Sequence, residues 1–201
     1  MPSYSTTALR RIPQQERGQL RVAGFLNAAA LVIAEVGYER ATMSAIAERA
    51  HSCIGSLYQF FPNKRSVAEA LRASYINDVE QSWAGLGRQA ADLTAEDLAG
   101  RLVTVQLEIV KKHPALLALL DVSPTAHTPT RRELIRTRIA AVLLAHKPRM
   151  PKTTALRVAS VVQQVSRGLL TLYGQTPADE KPAMVEEFKF VLTGYLVPKL
   201  K

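Results

Sequence analysis

The chain has 201 residues, one cysteine and a formal net charge of +9, from 26 Lys/Arg against 17 Asp/Glu. This length allows a large hydrophobic core, and the positive charge favours a polyanionic partner. A single cysteine excludes an intrachain disulfide and fits a reducing compartment. No hydrophobic signal core opens the chain, and no unbroken apolar run approaches the ~20 residues that span a bilayer. We therefore expect a cytoplasmic protein with no membrane partner.

The positive charge is denser in the first third of the chain but is not confined to it. Residues 1–72 carry nine Lys/Arg against five Asp/Glu, and residues 73–201 carry seventeen against twelve. Residues 1–16 mix Ser, Thr, Pro and Gln with Arg10 and Arg11 and show no periodicity, which predicts a disordered basic arm. Such an arm either enters a minor groove or remains a solvated tail, and solvated tails are commoner.

The first predicted helix runs from about Arg17 to Val36 and buries one apolar stripe. The stripe consists of residues at helical spacing: Leu26, Ala29, Ala30, Ile33 and Val36. Gly37 follows in the position where a helix commonly ends with a left-handed residue.

Residues 42–61 predict two short helices joined by a tight turn. Thr42 is a suitable N-cap for the first of them, which buries Ile46. Residues 51–53 interrupt the pattern, and a second helix is predicted from Ile54 to about Phe60. Because helices this short do not form alone, we expect them to pack on the first helix as a helix-turn-helix.

The rest of the chain predicts only helices and loops, so the expected fold class is all-α. The predicted elements are a long helix from Asn63 to Gly85 and Gly87, a helix from Thr94 to His113, a short helix from Ala115 to Val122, a loop over 123–130, a helix after Pro129, and two final helices, Lys152 to Tyr173 and Asp179 to about Val197. Asn63 and Thr94 are the expected caps of their helices.

The segment from Ile54 to Lys64, Ile-Gly-Ser-Leu-Tyr-Gln-Phe-Phe-Pro-Asn-Lys, resembles the DNA-binding signature of the TetR family of bacterial transcriptional repressors. Further positions are similar to the first two helices of that family: Phe25, Ala29, Gly37, Tyr38, Thr42, Ile46 and Ala47. Where the family usually shows Gly-Val-Ser, this chain has His51, Ser52 and Cys53. We interpret this departure as a weaker turn, because His tolerates a left-handed backbone less well than Gly and Cys is a poor cap.

The resemblance implies a sequence-specific DNA-binding surface built on the second short helix. A helix of this kind enters the major groove with its first residues facing the base edges. The implied DNA contacts are Thr42, Ser44, Ile54, Gly55, Ser56, Tyr58, Gln59 and Lys64. Gly55 would allow close approach, and Ser56 would bond a base edge or phosphate. Tyr58 and Lys64 resemble phosphate contacts, and Gln59 resembles a base contact.

The resemblance also implies two domains and a homodimer. Residues 17–72 would form the helix-turn-helix domain, and residues 73–201 would form a helical effector-binding and dimerisation domain. The last two helices carry apolar stripes wider than one packing face needs, and in the family these helices pair with their copies. The implied interface includes Leu169, Leu172, Phe188, Leu192 and Tyr195. The alternative is that the extra apolar residues face the core of their own chain.

The expected function is that of a repressor released from a palindromic operator by an unknown small-molecule effector. Tyr75, Trp83, Gln106 and His113 are candidates to line an effector pocket, although residues at these spacings are more often core or surface residues. Two other classes remain open. One is a DNA-binding dimer that needs no ligand, and the other is a helical interaction protein that has lost DNA binding through the 51–53 departure.

Sequence motifs for catalysis are absent. No phosphate-binding glycine loop, nucleophile elbow or HExxH motif occurs, and the one Glu-x-x-His spacing, Glu48 to His51, falls short of a di-iron set. We therefore predict no catalytic residue and no cofactor. His51 and Cys53 supply two donors where zinc needs four, so no metal is predicted. Cys53 is a candidate redox switch, although a lone cysteine with no adjacent cation is usually inert.

Overall fold

The structure, a computed structural model, describes residues 14–119, 122 and 131–201. Within those residues it contains helices and no strand, which confirms the all-α prediction. The helices are α1 Gln14–Arg40, α2 Met43–Arg49, α3 Ile54–Phe60, α4 Lys64–Gln89, α5 Ala95–Lys112, α6 Ala115–Ala118, α7 Arg131–His146, α8 Lys152–Gln175 and α9 Lys181–Leu200.

Several helix boundaries differ from the sequence prediction. Helix α1 begins at Gln14, so the last three residues of the expected basic arm are helical, and residues 1–13 lie outside the described part. Helix α4 continues through Gly85 and Gly87. Trp83, before the two glycines, and Leu86, between them, are buried and hold the helix against the core. Helix α6 is only four residues long. The predicted loop over 123–130 also lies outside the described residues.

The predicted helix ends are confirmed in the front part of the chain. Gly37 has φ of +80°, a value that favours glycine, and it kinks the end of α1. The Thr42 hydroxyl accepts a bond from the Ala45 amide at 3.1 Å. Asn63 and Ser66 bond each other's backbone in a capping box at the start of α4. These caps satisfy amides that a helix start leaves without partners.

The buried apolar residues form two cores. The N-terminal core lies between α1, α2, α3 and the first half of α4, and its largest members are Phe25, Ile33, Ile46, Leu57 and Leu71. The C-terminal core lies between the second half of α4 and helices α5, α7, α8 and α9. Its largest members are Trp83, Leu86, Leu98, Leu102, Ile139, Leu143 and Leu169. Helix α4 is therefore the continuous connection between the two cores.

Helix α6 lies in the second half of the sequence but packs into the N-terminal core. Its residue Ala115 and the following Leu119 are 1% and 0% exposed and belong to the same buried cluster as Phe25 on α1. Helices α1 and α6 are in direct contact. A division of the chain at residue 72 therefore does not describe the packing, because a piece of the later sequence completes the earlier module.

The sequence has no apolar run of ~20 residues, yet helix α1 as a whole is long and apolar enough to meet a looser test for a membrane span. Of the described helices, the stretch Glu16–Arg40 passes that test of length and composition. Its buried face, which includes Phe25, Ala29 and Ile33, packs against α2, α4 and α6. The N-terminal core thus accounts for one face of α1, while Leu20 and Leu31 on its other side are 62% and 47% exposed.

Candidate nucleic-acid interface

Helix α3 is held against α1 by one face and exposes the other. Leu57 is 0% exposed, and the Phe60 ring packs on the Phe25 ring with centroids 6.0 Å apart. The opposite face presents Ile54 and Tyr58, which are 41% and 49% exposed, together with Gly55 and Gln59, which are also exposed. Four of the predicted DNA-contact residues therefore lie together on one solvent-facing side of a short, firmly anchored helix.

Ser56 differs from the expectation that it faces a base edge or phosphate. It is 8% exposed, on the core side of α3 next to Leu57, and its hydroxyl has no hydrogen-bond partner. The helical register explains this, because Ser56 lies between the two exposed pairs and turns inward. Ser56 therefore does not belong to the exposed surface of α3.

The turn before α3 has the left-handed residue that the sequence predicts. His51 has φ of +49°, and it is the only residue other than glycine with positive φ in the described part of the chain. The Ser52 amide donates to the Ala47 carbonyl at 3.0 Å and the His51 amide to the Glu48 carbonyl at 2.9 Å. These two bonds form a Schellman motif at the end of α2, with His in the position usually taken by Gly.

Cys53 occupies the N-cap of α3 without capping it. Its side chain accepts no bond from the helix amides, as its weak acceptor sulfur predicts, and the thiol is exposed. No group of three or more His, Cys, Asp or Glu side chains among the described residues could hold a metal ion. His51 and Cys53 thus flank the start of α3 as part of the turn.

Helix α2 is fixed to α1 by an ion pair and presents its first turn to solvent. Arg49 donates to both carboxylate oxygens of Glu35, at 2.8 and 2.7 Å. The hydrogen bonds from Arg49 lower the pKa of the Glu35 carboxyl. Both side chains are substantially exposed, so the pair contributes orientation more than stability. Thr42 and Ser44 are exposed at the start of α2.

Lys64 has a structural role that the sequence did not predict. Its ammonium group donates to the carbonyls of Tyr38 and Glu39, at 2.8 and 2.9 Å, and lies 4.5 Å from the centre of the Tyr38 ring. Carbonyls at a helix end lack partners within the helix, so Lys64 ties the end of α1 to the start of α4. The three N–H groups of an ammonium leave one donor beyond these two bonds.

The candidate effector residues fall into two groups. Trp83 and Gln106 are buried in the C-terminal core, where the Gln106 amide nitrogen donates to the Leu102 carbonyl at 2.8 Å and to the Ser166 hydroxyl at 2.7 Å. Tyr75 and His113 instead stack at the junction of α4 with α5, with ring centroids 4.0 Å apart. Two of the four residues are therefore core residues, and the other two belong to the junction between α4 and α5.

The junction between α4 and the α5–α6 turn carries charged contacts as well. Asp78 pairs with Lys112 and with the His113 ring, each at 2.9 Å, and hydrogen bonding from Lys112 and then from His113 lowers the pKa of the Asp78 carboxyl. Six residues earlier on α4, the Arg72 guanidinium donates to the carbonyls of Leu119 and Val122, at 2.7 and 2.5 Å. Burial lowers the pKa of Arg72.

Two of the residues expected in a dimer interface are buried within one chain. Leu169 and Leu192 are both 0% exposed and belong to the C-terminal core, because the inner faces of α8 and α9 pack on the neighbouring helices. Phe188 and Tyr195 are half-buried, and the Phe188 ring lies over Gly168 of α8. Leu172 is 46% exposed. Of the five residues, Leu172 is thus the most available to a partner.

Other apolar residues of α8 and α9 are exposed. Phe190 and Val191 on α9 are 77% and 51% exposed, and Val161 on α8 is 39% exposed. Gly194, one turn beyond Phe190, has open space where a Cβ would lie. Together with Leu172 these residues define what we call the α8/α9 face.

Helix α3 packs by one side on its module and exposes polar and apolar residues on the other side. This arrangement is the architecture of a helix-turn-helix DNA-binding protein. The family model of the tetR family of bacterial regulatory proteins matches residues 25–71, and that of the Tetracyclin repressor-like C-terminal domain matches residues 94–196. Together the two matches cover most of the chain. The chain belongs to the TetR family and is a transcriptional regulator with a helix-turn-helix module.

Solved structures share the whole fold. A TetR-family regulator from Streptomyces coelicolor is 25% identical, with 88% of this chain and 97% of that chain covered and a TM-score of 0.56. A TetR regulator from Rhodococcus sp. RHA1 is 19% identical, with coverage of 92% and 100% and a TM-score of 0.61. FadR from Bacillus subtilis, in complex with stearoyl-CoA, is 17% identical, with coverage of 87% and 97% and a TM-score of 0.58. Among curated proteins no match is found.

Proposed function

We propose that this protein is a cytoplasmic, homodimeric repressor that binds a palindromic operator through α3 and is released from it by a small-molecule effector. The observation that carries the proposal is the exposed face of α3. Ile54, Gly55, Tyr58 and Gln59 lie on a helix whose other face is anchored by Leu57 and Phe60. A rigid helix with an uncommitted face of this size fits the ~12 Å major groove.

Gly55 supports contact with a close outside partner. A Cβ built at this position meets nothing within 4 Å, and its φ is not positive, so the fold does not require glycine there. Glycine in a helix interior costs about 0.5–1 kcal/mol relative to alanine. A glycine that destabilises its helix and fills no internal need is consistent with a surface that DNA approaches closely.

The other proposed DNA contacts divide into side chains suited to base edges and side chains suited to the phosphate backbone of DNA. Gln59 can donate to and accept from one adenine edge, whereas Ile54 can only make apolar contact, for example with a thymine methyl group. Tyr58, Thr42 and Ser44 have hydroxyl groups suited to phosphate oxygens. Lys64 keeps one N–H for a phosphate, while its other two hold the end of α1. The proposed contact set therefore omits Ser56.

The α8/α9 face supports a homodimer. Large apolar side chains exposed together on neighbouring helices usually mark an interface. A two-fold axis through this face would present two copies of α3, and two symmetric helices require an operator with two-fold symmetry. The interface that we propose is centred on Leu172, Phe190 and Val191, with Phe188 and Tyr195 at its margin, and excludes Leu169 and Leu192.

Helix α4 and the residues after α6 support a route from effector to DNA. Arg72 on α4 is bonded to the carbonyls of Leu119 and Val122, and Leu119 is part of the N-terminal core. The domain could exist in two states, one with these Arg72 bonds as described and one with them shifted. An effector that binds the shifted state more tightly would lower operator affinity by the ratio of its affinities for the two states. The stearoyl-CoA complex of one structural relative, and the minocycline complex of a TetR variant from Acinetobacter baumannii, support an organic effector of this kind.

Selection of duplexes from a random library, followed by footprinting, tests the proposal. We expect a palindromic sequence, protected in two half-sites about one helical turn apart or a multiple of that spacing. Failure to enrich any sequence would favour a helical interaction protein. A melting screen of organic ligands then tests release, and a DNA-binding dimer whose operator affinity no ligand changes would be a ligand-independent binder.

A further inference from the structure

A depression beside the turn of the helix-turn-helix is lined by two arginines and by no carboxylate among the described residues. It measures about 450 Å³ and lies between the start of α1 and the turn, with Arg17 and Arg21 on one side and His51 and Ser52 on the other. A second depression on the far side of His51 is different, because its lining balances Arg40 and Arg49 against Glu35 and Glu48. Only the first depression therefore presents a net positive charge.

Arg17 and Arg21 are the uncommitted cations of the N-terminal module. Arg49 is held by Glu35, Lys64 by two carbonyls and Arg72 by two others. Arg40 bonds the Val36 carbonyl, and Arg65 pairs with Glu69. Arg17 and Arg21 are exposed, and neither has a hydrogen bond or ion pair within the described residues.

The position of the two arginines follows from the helical register of α1. Arg17, Arg21 and Phe25 are spaced four residues apart and so lie on one side of the helix. Phe25 contacts Phe60 of α3, which fixes that side of α1 toward the recognition helix. Arg21 and Arg17 lie about 6 and about 12 Å further along the helix axis, at a rise of about 1.5 Å per residue. They therefore emerge past the turn, next to the N-terminal end of α3.

The electrostatics of this end of α1 favour an anion. The first turn of a helix carries a partial positive charge, so Arg17, the fourth residue of α1, is unfavourable there without a partner, and Arg21 adds a second positive charge one turn further on. Glu16 is the acidic residue in the first turn of α1, and it offsets part of this charge. A negative partner would remove the repulsion and would also satisfy the two guanidinium groups.

We propose that Arg17 and Arg21 bind the sugar-phosphate backbone of DNA outside the base pairs read by α3. The inference rests on the proposed function, because it requires α3 in the major groove. A DNA strand carries one negative charge per about 3.4 Å of axis, so two arginines whose backbone positions are about 6 Å apart along α1 can reach phosphates of one strand. Both residues precede residue 25, where the match to the family begins, so the family assignment gives them no role. The contact extends the footprint without adding sequence preference.

The test compares the salt dependence of DNA binding in matched variants. In the variant R17A/R21A we expect weaker binding to every duplex and a slope of log affinity against log salt that is shallower by about 3.6. That figure assumes that each guanidinium neutralises one phosphate in both subunits, at about 0.9 per phosphate. R17K/R21K keeps the charges and should keep most of the slope. R149A/K152A removes the same charge from two exposed residues of the C-terminal domain and should leave the slope unchanged.

The probes are a duplex selected on the parent protein and a duplex of the same composition in scrambled order. A parent that binds neither duplex overturns the proposed function and this inference together. A parent that binds, with an R17A/R21A slope equal to its own, overturns only this inference. An equal slope change in R149A/K152A also overturns it, because net charge alone would then explain the effect. Unchanged base preference in R17A/R21A, with its slope reduced, supports it.

Discussion

The two halves of this molecule are held together in different ways. In the N-terminal module, specific polar contacts fix several helix ends: Thr42 caps α2, Asn63 caps α4, and Lys64 ties the start of α4 to the end of α1. In the C-terminal part, Thr94 caps α5, but helices α8 and α9 begin without a side-chain cap, and apolar side chains pack α5 on α9 and α7 on α8. Directional bonds set positions more narrowly than apolar packing, which tolerates exchanges of similar volume.

The exposed surfaces of the two halves also differ, because one offers hydrogen-bonding groups and the other large apolar side chains. The N-terminal module presents Gln59 and Tyr58 beside Gly55 and Ile54 on one short helix, whereas the C-terminal part exposes Phe190 and Val191. The first surface suits hydrogen bonding to a polar polymer and the second suits burial against another apolar surface. If α3 reads DNA as we propose, a hydrogen-bonded front module suits its placement, and the apolar α8/α9 face suits assembly.

The largest expected effect is on assembly. Phe190→Glu should convert the dimer to monomer, because hot-spot residues cost about 2 kcal/mol or more and a two-fold interface contains the residue twice. Leu134→Glu, on α7, is the matched control because it makes the same kind of change at a residue 43% exposed. Light scattering measures both. A monodisperse monomer for the parent protein would rule out the α8/α9 face as an interface.

The second prediction compares the two cores at equal side-chain size. Leu119→Ala and Leu143→Ala each remove a leucine that is 0% exposed, so each should lower the free energy of unfolding by about 2–5 kcal/mol. Only Leu119→Ala should also weaken DNA binding by the folded protein, because Leu119 belongs to the N-terminal core. Denaturant titration and DNA binding at one protein concentration measure the two effects. Equal DNA affinity in both variants would mean that α6 does not support the module.

The third prediction separates the two roles of Lys64. Lys64→Ala should lower the free energy of unfolding by about 1.5–3 kcal/mol, the range for hydrogen bonds to a charged group. It should also weaken binding to all sequences and make the salt slope shallower by about one phosphate per subunit. Arg65→Ala, the neighbouring cation, is the control for local charge. Lost stability with an unchanged salt slope would leave Lys64 as a structural residue alone.

The fourth prediction concerns sequence reading. Gln59→Ala should relax the preference at one operator position per half-site, because a bidentate amide pairing with adenine contributes about 1–3 kcal/mol of discrimination. The two relaxed positions should be related by the two-fold axis of the operator. Binding to non-specific duplexes should change little. Library selection on parent and variant in parallel measures this, and identical base preferences would show that Gln59 reads no base.

The smallest expected effect is that of Gly55→Ala, which should stabilise the fold but weaken DNA binding. Gly55→Ala should raise the free energy of unfolding by about 0.5–1 kcal/mol, because alanine favours the helix and the Cβ meets open space. DNA affinity should fall, because the added methyl group faces the groove. Gly87→Ala also meets open space, but it lies far along α4 and should leave DNA binding unchanged. Unchanged affinity in Gly55→Ala would place DNA further from α3 than we propose.

Much of the N-terminal module could be predicted from the sequence because its determinants are local. The Thr42 cap, the left-handed His51 and the Asn63 cap each depend on residues within a few positions. The identity of the groove-facing residues came from the motif, and its one misplaced member, Ser56, is a matter of helical register. The DNA contacts themselves stay predictions.

The features that the sequence did not reveal depend on contacts between distant residues. The bonds from Lys64 to the carbonyls of Tyr38 and Glu39 join positions about 25 residues apart, so no local sequence pattern predicts them. Which leucines of α8 and α9 face inward depends on how those helices pack, so Leu169 and Leu192 could not be separated from Leu172 by periodicity. A wide apolar stripe predicts that a segment is helical but does not predict which part of the stripe faces the core.

The place of α6 in the N-terminal core has a consequence for how the protein is made. Chains are synthesised from the N-terminus, and domains generally fold as units once their residues are available. The contacts that Ala115 and Leu119 make with α1 cannot form until the ribosome has added them, well after the last residue of the helix-turn-helix. A nascent chain that ends shortly after residue 71 therefore exposes part of its apolar core. We therefore expect that the complete N-terminal core forms only after residue 119, when more than half of the polypeptide has been translated.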